Sequence, residues 1–254
     1  MLYGSLHSSI CHRLHWTERI ARRALIPVKQ EFAARDAAAY QIGEAARYVR
    51  VAPATLRSWV YGRPYPKAGG IGRFQPLIRV ADAKRRLLSF NNLIEAHMLR
   101  ALRTTHGAEL KAIRSAITYA QRELGIDRLL LSRELLTDKR SVFLERYGEL
   151  INLSHSGQLA MRVMLDAYLE RVEWDVVGPR RLFPFVRPEL DGGPKHIAID
   201  PLIGFGRPIV KRRGISTQVI VERIDAGETV AAVAADYELN EHEVEEAVVY
   251  ERAA

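Results

Sequence analysis

With 254 residues, 48% of them hydrophobic, the chain can bury sizeable cores in one large domain or in two or three small ones, and its longest apolar stretches, such as Val230 to Ala235, fall far short of the roughly 20 residues of a bilayer span. A single cysteine, Cys11, excludes an intramolecular disulfide and a cysteine-rich zinc site. The net charge of +8 is uneven: residues 1–125 hold 21 Lys and Arg against 8 Asp and Glu, and residues 126–254 hold 17 against 22, so a polyanion such as nucleic acid is drawn to the front half and repelled by the back.

Residues 1–36 show no sustained period and are left as an N-terminal extension. Arg13, Arg19, Arg22 and Arg23 interrupt every apolar core that a signal peptide would need there, so a cytoplasmic protein is expected. From Tyr40 the pattern sharpens. Ile42, Ala45, Ala46 and Val49 share one helical face, and after Arg50-Val51-Ala52 a second helix starts at Pro53 and turns Leu56, Trp59 and Val60 inward. Pro53 suits a first helical turn, where its missing N–H costs nothing. On the opposite face of this second helix lie Ala54, Arg57, Ser58 and Tyr61, groups suited to phosphates and base edges beside a small residue that permits close approach.

Residues 63–90 contain two prolines and three glycines ahead of short strand-like runs at 76–80 and 86–88, which predicts a basic β-hairpin, or wing. Arg63, Lys67, Arg73, Arg79, Lys84, Arg85 and Arg86 fall within this stretch with only Asp82 opposing, and they extend the footprint of the preceding helix. Amphipathic helices are expected at about 91–106 and 108–124, separated at Gly107. Residues 126–190 read as a middle α+β region, with a hairpin at Tyr147-Gly148, then a helix. Pro179, Pro184, Pro188 and the DGGP run at 191–194 read as a linker. The last module, 191–254, holds an extended segment with a tight glycine turn followed by three helices. The expected fold is mainly α with small β elements, an α+β class.

The run YQIGEAARYVRVAPATLRSWVYGR resembles the winged helix–turn–helix of MerR-type transcription regulators, and the helices after the wing look like those of the same family, over about residues 40–125. The resemblance implies a DNA-binding domain at 37–125 with Thr55, Arg57 and Tyr61 against backbone and groove and Arg73 near a phosphate. Together with the residue reading, the candidate DNA contacts are Thr55, Arg57, Ser58, Tyr61, Arg63 and Arg73. Arg50 stands where that family usually has a glycine, a position whose left-handed backbone strains an arginine.

The C-terminal stretch from Ile197 to Glu251 resembles the DUF433 family of antitoxin-like proteins through Asp200-Pro201, Gly204, Gly206-Arg207-Pro208, Arg213, Ile215, the Gly227-Glu228-Thr229-Val230 helix start, Tyr237 and Val244. That resemblance implies an antitoxin of a VapBC-like type II pair, whose partner is a small PIN-like ribonuclease toxin. It would repress its own operon as a homodimer on double-stranded operator DNA. Arg207, Lys211, Arg212 and Arg213 are the candidate partner contacts, because cations would pair with the carboxylates of a metal-dependent nuclease site. The final helix carries Glu241, Glu243, Glu245, Glu246 and Glu251 with no Lys or Arg before Arg252, so it is expected to meet protein rather than phosphate.

Other chemistries are weaker. GFGRP at 204–208 does not lead into a helix as a phosphate loop must. His242-Glu243 has no second histidine at the zinc-protease spacing, and His97 and His106 are off the spacing of a shared metal site. Asp166, Glu170, Glu173 and Asp175 are interleaved with arginines and complete no metal site. No enzyme, cofactor or metal is expected. The alternative is a MerR-like regulator whose back half senses a small molecule in a pocket lined by Trp174, Phe183 and Phe185.

Overall fold

The computed structural model describes residues 33–104, 110–137, 140–150, 154–186 and 193–253. These residues fold as expected into a mainly helical chain with small antiparallel sheets. A helical turn at 33–36 leads to Tyr40, whose backbone pairs with Leu88. Helix α1 (Ile42–Tyr48) and helix α2 (Pro53–Tyr61) follow, with Ala45, Ala46, Leu56, Trp59 and Val60 buried between them. The turn between the helices contains Arg50 at φ 56°, the left-handed conformation anticipated there, which costs a residue with a Cβ about 1–2 kcal/mol.

Gly62 ends α2 at φ 70°, its N–H bonded to the Ser58 carbonyl at 3.0 Å. From it the chain enters an antiparallel hairpin, β1 (Arg63–Lys67) and β2 (Gly70–Phe74), in the register Arg63↔Phe74 to Lys67↔Gly70. A Cβ on Gly62 would overlap the Phe74 carbonyl oxygen, so this glycine fixes the angle between α2 and the hairpin. Gly62→Ala is expected to lower stability by about 2 kcal/mol through left-handed strain and the displaced carbonyl, measured as the shift of the urea unfolding midpoint. An unchanged midpoint would contradict this placement.

The strands are earlier than the sequence suggests. Residues 76–80 and 86–88 form no strand pair with each other. Leu77 and Ile78 instead donate backbone N–H groups to Trp59 O at 2.7 and 3.1 Å, and Ile78 enters the core beside α2. Asp82 and Leu87 close a tight bridge of their own. Asn92 holds this loop from inside: its Oδ1 accepts from Ala81 and Ser89 N–H, and its Nδ2 donates to Arg79 O and Glu95. The Ser89 hydroxyl in turn accepts from Asn92 N–H, a reciprocal cap on the next helix.

That helix, α3 (Phe90–Thr104), is buried along most of its length, and α4 (Leu110–Leu124) follows. Gly107, expected to separate them, lies outside the described residues. The hairpin predicted at Tyr147-Gly148 is instead the interior of helix α5 (Arg140–Leu150). Gly148 there lets Gln158 of helix α6 (His155–Leu169) come close, since an added Cβ would lie 2.9 Å from its side chain. A glycine that serves helix crossing looks like a turn signal when read alone.

Pro179 is likewise no linker residue. It opens β4 (Pro179–Leu182), which pairs with β3 (Val172–Trp174) on one side and, through Leu182↔Ile199, with β5 (Ile197–Ile199) on the other. β6 (Pro208–Val210) and β7 (Ile215–Ser216) complete a five-stranded antiparallel sheet in chain order. Pro184, also read as linker, is buried between Phe183 and Phe185. Pro188 lies outside the described residues. Helices α7 (Thr217–Asp225), α8 (Val230–Asp236) and α9 (Glu241–Arg252) close the chain near their expected positions. One large core runs from Tyr40 to Ile199, and a second gathers Val186, Ile197, Val210, Ile220, Val233, Val244, Ala247 and Tyr250.

Candidate functional site

The first candidate surface is built on α2 and the hairpin. With Leu56, Trp59 and Val60 turned inward, the helix leaves Pro53, Ala54 and Arg57 exposed and Thr55 and Ser58 half-buried. Arg63 and Arg73 are exposed on neighbouring strands of the hairpin. Arg73 Nη2 donates to Tyr61 O at 3.0 Å, tying the strand to the last turn of α2. The hairpin is stiffened by the Tyr65 and Phe74 rings, 4.2 Å apart, with Gly72 packed under Tyr65 and the Arg63 guanidinium 5.3 Å from the Phe74 centroid. Lys84, Arg85 and Arg86 are exposed on the 83–86 turn. The one acid between residues 53 and 89, Asp82, accepts from Arg85 N–H at 2.8 Å.

Of the six candidate DNA contacts, Arg57, Arg63 and Arg73 are exposed, Thr55 and Ser58 are half-buried, and Tyr61 has its hydroxyl buried. The Tyr61 hydroxyl is buried without a hydrogen-bond partner among the described residues. Burial raises its pKa, and the Arg86 guanidinium lies 6.0 Å from its ring centroid.

Behind this surface the C-terminal module is seated on α1 and its turn. Arg50 Nη2 donates to Tyr250 O at 2.7 Å, and its guanidinium stacks 4.8 Å from the Tyr250 ring centroid. Arg47 pairs with Glu251, which also accepts from the Thr217 hydroxyl. Tyr250 is buried and its hydroxyl reaches Tyr48 O at 3.5 Å. Farther along, the buried Tyr40 hydroxyl donates to Gly206 O at 3.0 Å. The left-handed Arg50 is thus held by contacts about 200 residues away in sequence, a role nothing in its local pattern announces.

The candidate partner contacts flank β6. Arg207 and Lys211 are exposed and form no ion pair among the described residues, and the Lys211 ammonium lies 5.0 Å from the Phe183 centroid. Arg212 approaches Glu243 at 3.7 Å, and Arg213 pairs with Glu238. Two of the four cations are therefore engaged within the module, while two face outward. The acids of α9 are mostly used internally. Glu243 is 4% exposed and completes a capping box with Asn240, and Glu246 is buried. His196 lies 3.8 and 4.0 Å from these two carboxylates. Val244 and Ala247 form core rather than surface.

The aromatic residues proposed for a ligand pocket do not share one. Phe185 stacks with His97 and Tyr168 in the large core, Phe183 packs with Ala198 and Ile209, and Trp174 lies on β3. Three of the four carboxylates considered for a metal site fall in separate pairs, Asp166 with Arg140, Glu173 with Arg181 and Asp175 with Arg35, and the fourth, Glu170, is exposed after the end of α6. The hydrogen bonds from Arg35 hold Asp175 down at about pKa 2. Among the described residues no group of three or more His, Cys, Asp or Glu could hold a metal, and no helix is long and apolar enough to cross a membrane.

Comparison with known proteins agrees with the C-terminal reading. Residues 197–250 match the family model described as "Protein of unknown function (DUF433)". Over 231 residues the chain is 28% identical to the Mycobacterium tuberculosis protein named "Putative antitoxin VapB45", covering 84% of this chain and 93% of the relative. The crystal structure of Rv2018 from Mycobacterium tuberculosis shares the fold, with a TM-score of 0.60 at 23% identity over 84% of this chain and 98% of that one.

Proposed function

We propose that this chain is the DNA-binding antitoxin of a type II toxin–antitoxin pair, acting in the cytoplasm. As a homodimer it would set two winged helix–turn–helix units, each built from α1, α2 and the β1–β2 hairpin, on a pseudo-palindromic operator. Arg57 and Ser58 would face the groove while Thr55, Arg63 and Arg73 hold phosphates. Its C-terminal module would clasp a PIN-like ribonuclease, with Arg207 and Lys211 nearest the acidic metal site of the toxin and Arg212 and Arg213 released from Glu243 and Glu238 to join them. The observation that carries the DNA half is the acid-free basic face of α2 and the hairpin, joined rigidly at Gly62. The similarity to a relative named as an antitoxin supports the partner half.

The test is a fluorescence-anisotropy titration with DNA from the region upstream of its own gene, at several salt concentrations, with and without the neighbouring gene's product. Arg57→Ala is expected to weaken binding about tenfold, and Arg73→Ala to reduce the salt slope by about one. No preference over a scrambled duplex would sink the DNA half. Failure to bind or inhibit the ribonuclease would sink the other.

A further inference from the structure

Phe205 is the most exposed large apolar residue among the described ones, ahead of Val176 at 91% and Ile71 at 79%, and it alone of the three has a left-handed backbone. Its ring is 95% exposed, and its backbone lies at φ 56°, ψ 30°, a left-handed conformation that a bulky residue rarely adopts. Gly204 at φ 59° and Gly206 at φ 74° flank it, so three successive residues bend the chain to lift one ring into water. Neither burial nor local backbone preference accounts for this placement.

The loop that carries the ring is rigid. Asp200, itself buried, accepts Leu202 N–H at 2.9 Å through Oδ1 and two Arg181 donors, at 2.8 and 3.1 Å, through Oδ2. Backbone bonds run from Ile203 N–H to Asp200 O, from Gly206 N–H to Ile203 O and from Arg207 N–H to Gly204 O, each 3.0 Å. The Tyr40 hydroxyl holds Gly206 O, and a Cβ on Gly206 would overlap that hydroxyl. A fixed aromatic knob suits a preformed pocket, because little conformational freedom remains to be lost on docking. Two residues to either side along the chain, Arg207 is exposed and Ile203 is 39% exposed, and the exposed Lys211 follows the other end of β6.

We propose that Phe205 is the anchor of the partner interface, inserting into an apolar pocket, rimmed by carboxylates, on a folded protein. This rests on the reading of the C-terminal module as a ribonuclease clasp, and names the side chain that would dominate the contact. Arg207 beside the ring, with Lys211 at the other end of β6, would favour an acidic protein surface and steer the encounter, while the ring would set how long the complex lasts.

The experiment measures the affinity of the full chain for the neighbouring gene's ribonuclease, alongside operator binding and the melting temperature. Phe205→Gly removes the ring and suits the left-handed backbone, so the melting temperature should hold or rise. The expected result is at least a hundredfold loss of ribonuclease affinity with operator affinity unchanged, and with Phe205→Trp losing far less. Arg207→Ala with Lys211→Ala should chiefly slow association and flatten its salt dependence. If the wild type binds the ribonuclease and Phe205→Gly binds equally well, the anchor is overturned while the clasp reading stands. If Phe205→Gly loses operator affinity and keeps the ribonuclease, the ring serves DNA and the proposal is equally wrong. A wild type that does not bind the ribonuclease at all overturns the clasp reading and the anchor with it.

Discussion

Acidification from pH 6.5 to pH 5 is expected to remove about 2 kcal/mol of folding stability through one residue, His97. The side chain is 1% exposed, its Nε2 is 3.0 Å from the Tyr168 carbonyl, and its ring stacks on Phe185. Burial, reinforced by the Arg100 and Arg171 guanidiniums, depresses its pKa from 6.5 to about 3. The unfolded chain therefore takes up a proton near pH 6.5 that the folded chain refuses. Stability is fully present above pH 6.5 and falls by about 1.4 kcal/mol per pH unit below it, levelling off near the folded value. Urea unfolding across this range, compared with His97→Gln, measures the effect. Glutamine keeps an N–H for the Tyr168 carbonyl but does not titrate, so the variant should lose this slope. Parallel pH profiles for the two proteins would show that His97 is protonated in the fold.

Arg181→Met is expected to cost about 3–5 kcal/mol, the range for leaving one member of a buried ion pair without its partner. Asp200 is 2% exposed, and Arg181 supplies both donors to its Oδ2 while also reaching Glu173 at 3.1 Å. Methionine replaces the volume of the arginine stem and leaves the carboxylate stranded in the sheet. Adding Asp200→Asn removes that charge yet keeps an oxygen for Leu202 N–H, so the double variant should recover at least half of the loss. The readout is equilibrium urea unfolding. A single variant within about 1 kcal/mol of the wild type would mean that water reaches Asp200 freely.

Local pattern made the helices legible. The spacing of Ala45, Ala46, Leu56, Trp59 and Val60 gave α1 and α2 nearly to the residue, because helical period and proline and glycine punctuation are properties of neighbouring residues. The errors came where distant partners decide. Gly148 reads as a turn until Gln158 is seen against it. Pro179 reads as a linker until β3 and β5 pair on either side of its strand. Three-residue strands carry too short an alternation to be distinguished from loop. Within the candidate surfaces, Arg57, Arg63 and Arg73 were visible as charges on a polar face. The inward turn of the Tyr61 hydroxyl, the internal pairing of Arg212 and Arg213, and the exposure of Phe205 depend on packing that no local window contains. Arg50 lies between these cases. Its backbone conformation was foreseeable from its place in the turn, and its clasp on Tyr250 was not.

That clasp joins positions 200 residues apart, and a ribosome adding about 5–20 residues per second needs about 10–40 s to make the chain between them. During that interval the nascent α1–α2 turn carries a strained arginine with nothing to hold it. Tyr40 waits in the same way for Gly206, and Arg47 for Glu251. Synthesis that stops short of α9 yields a basic front half whose turn is never clamped. The contacts that hold Arg50 and Arg47 thus form only once the last helix has been made.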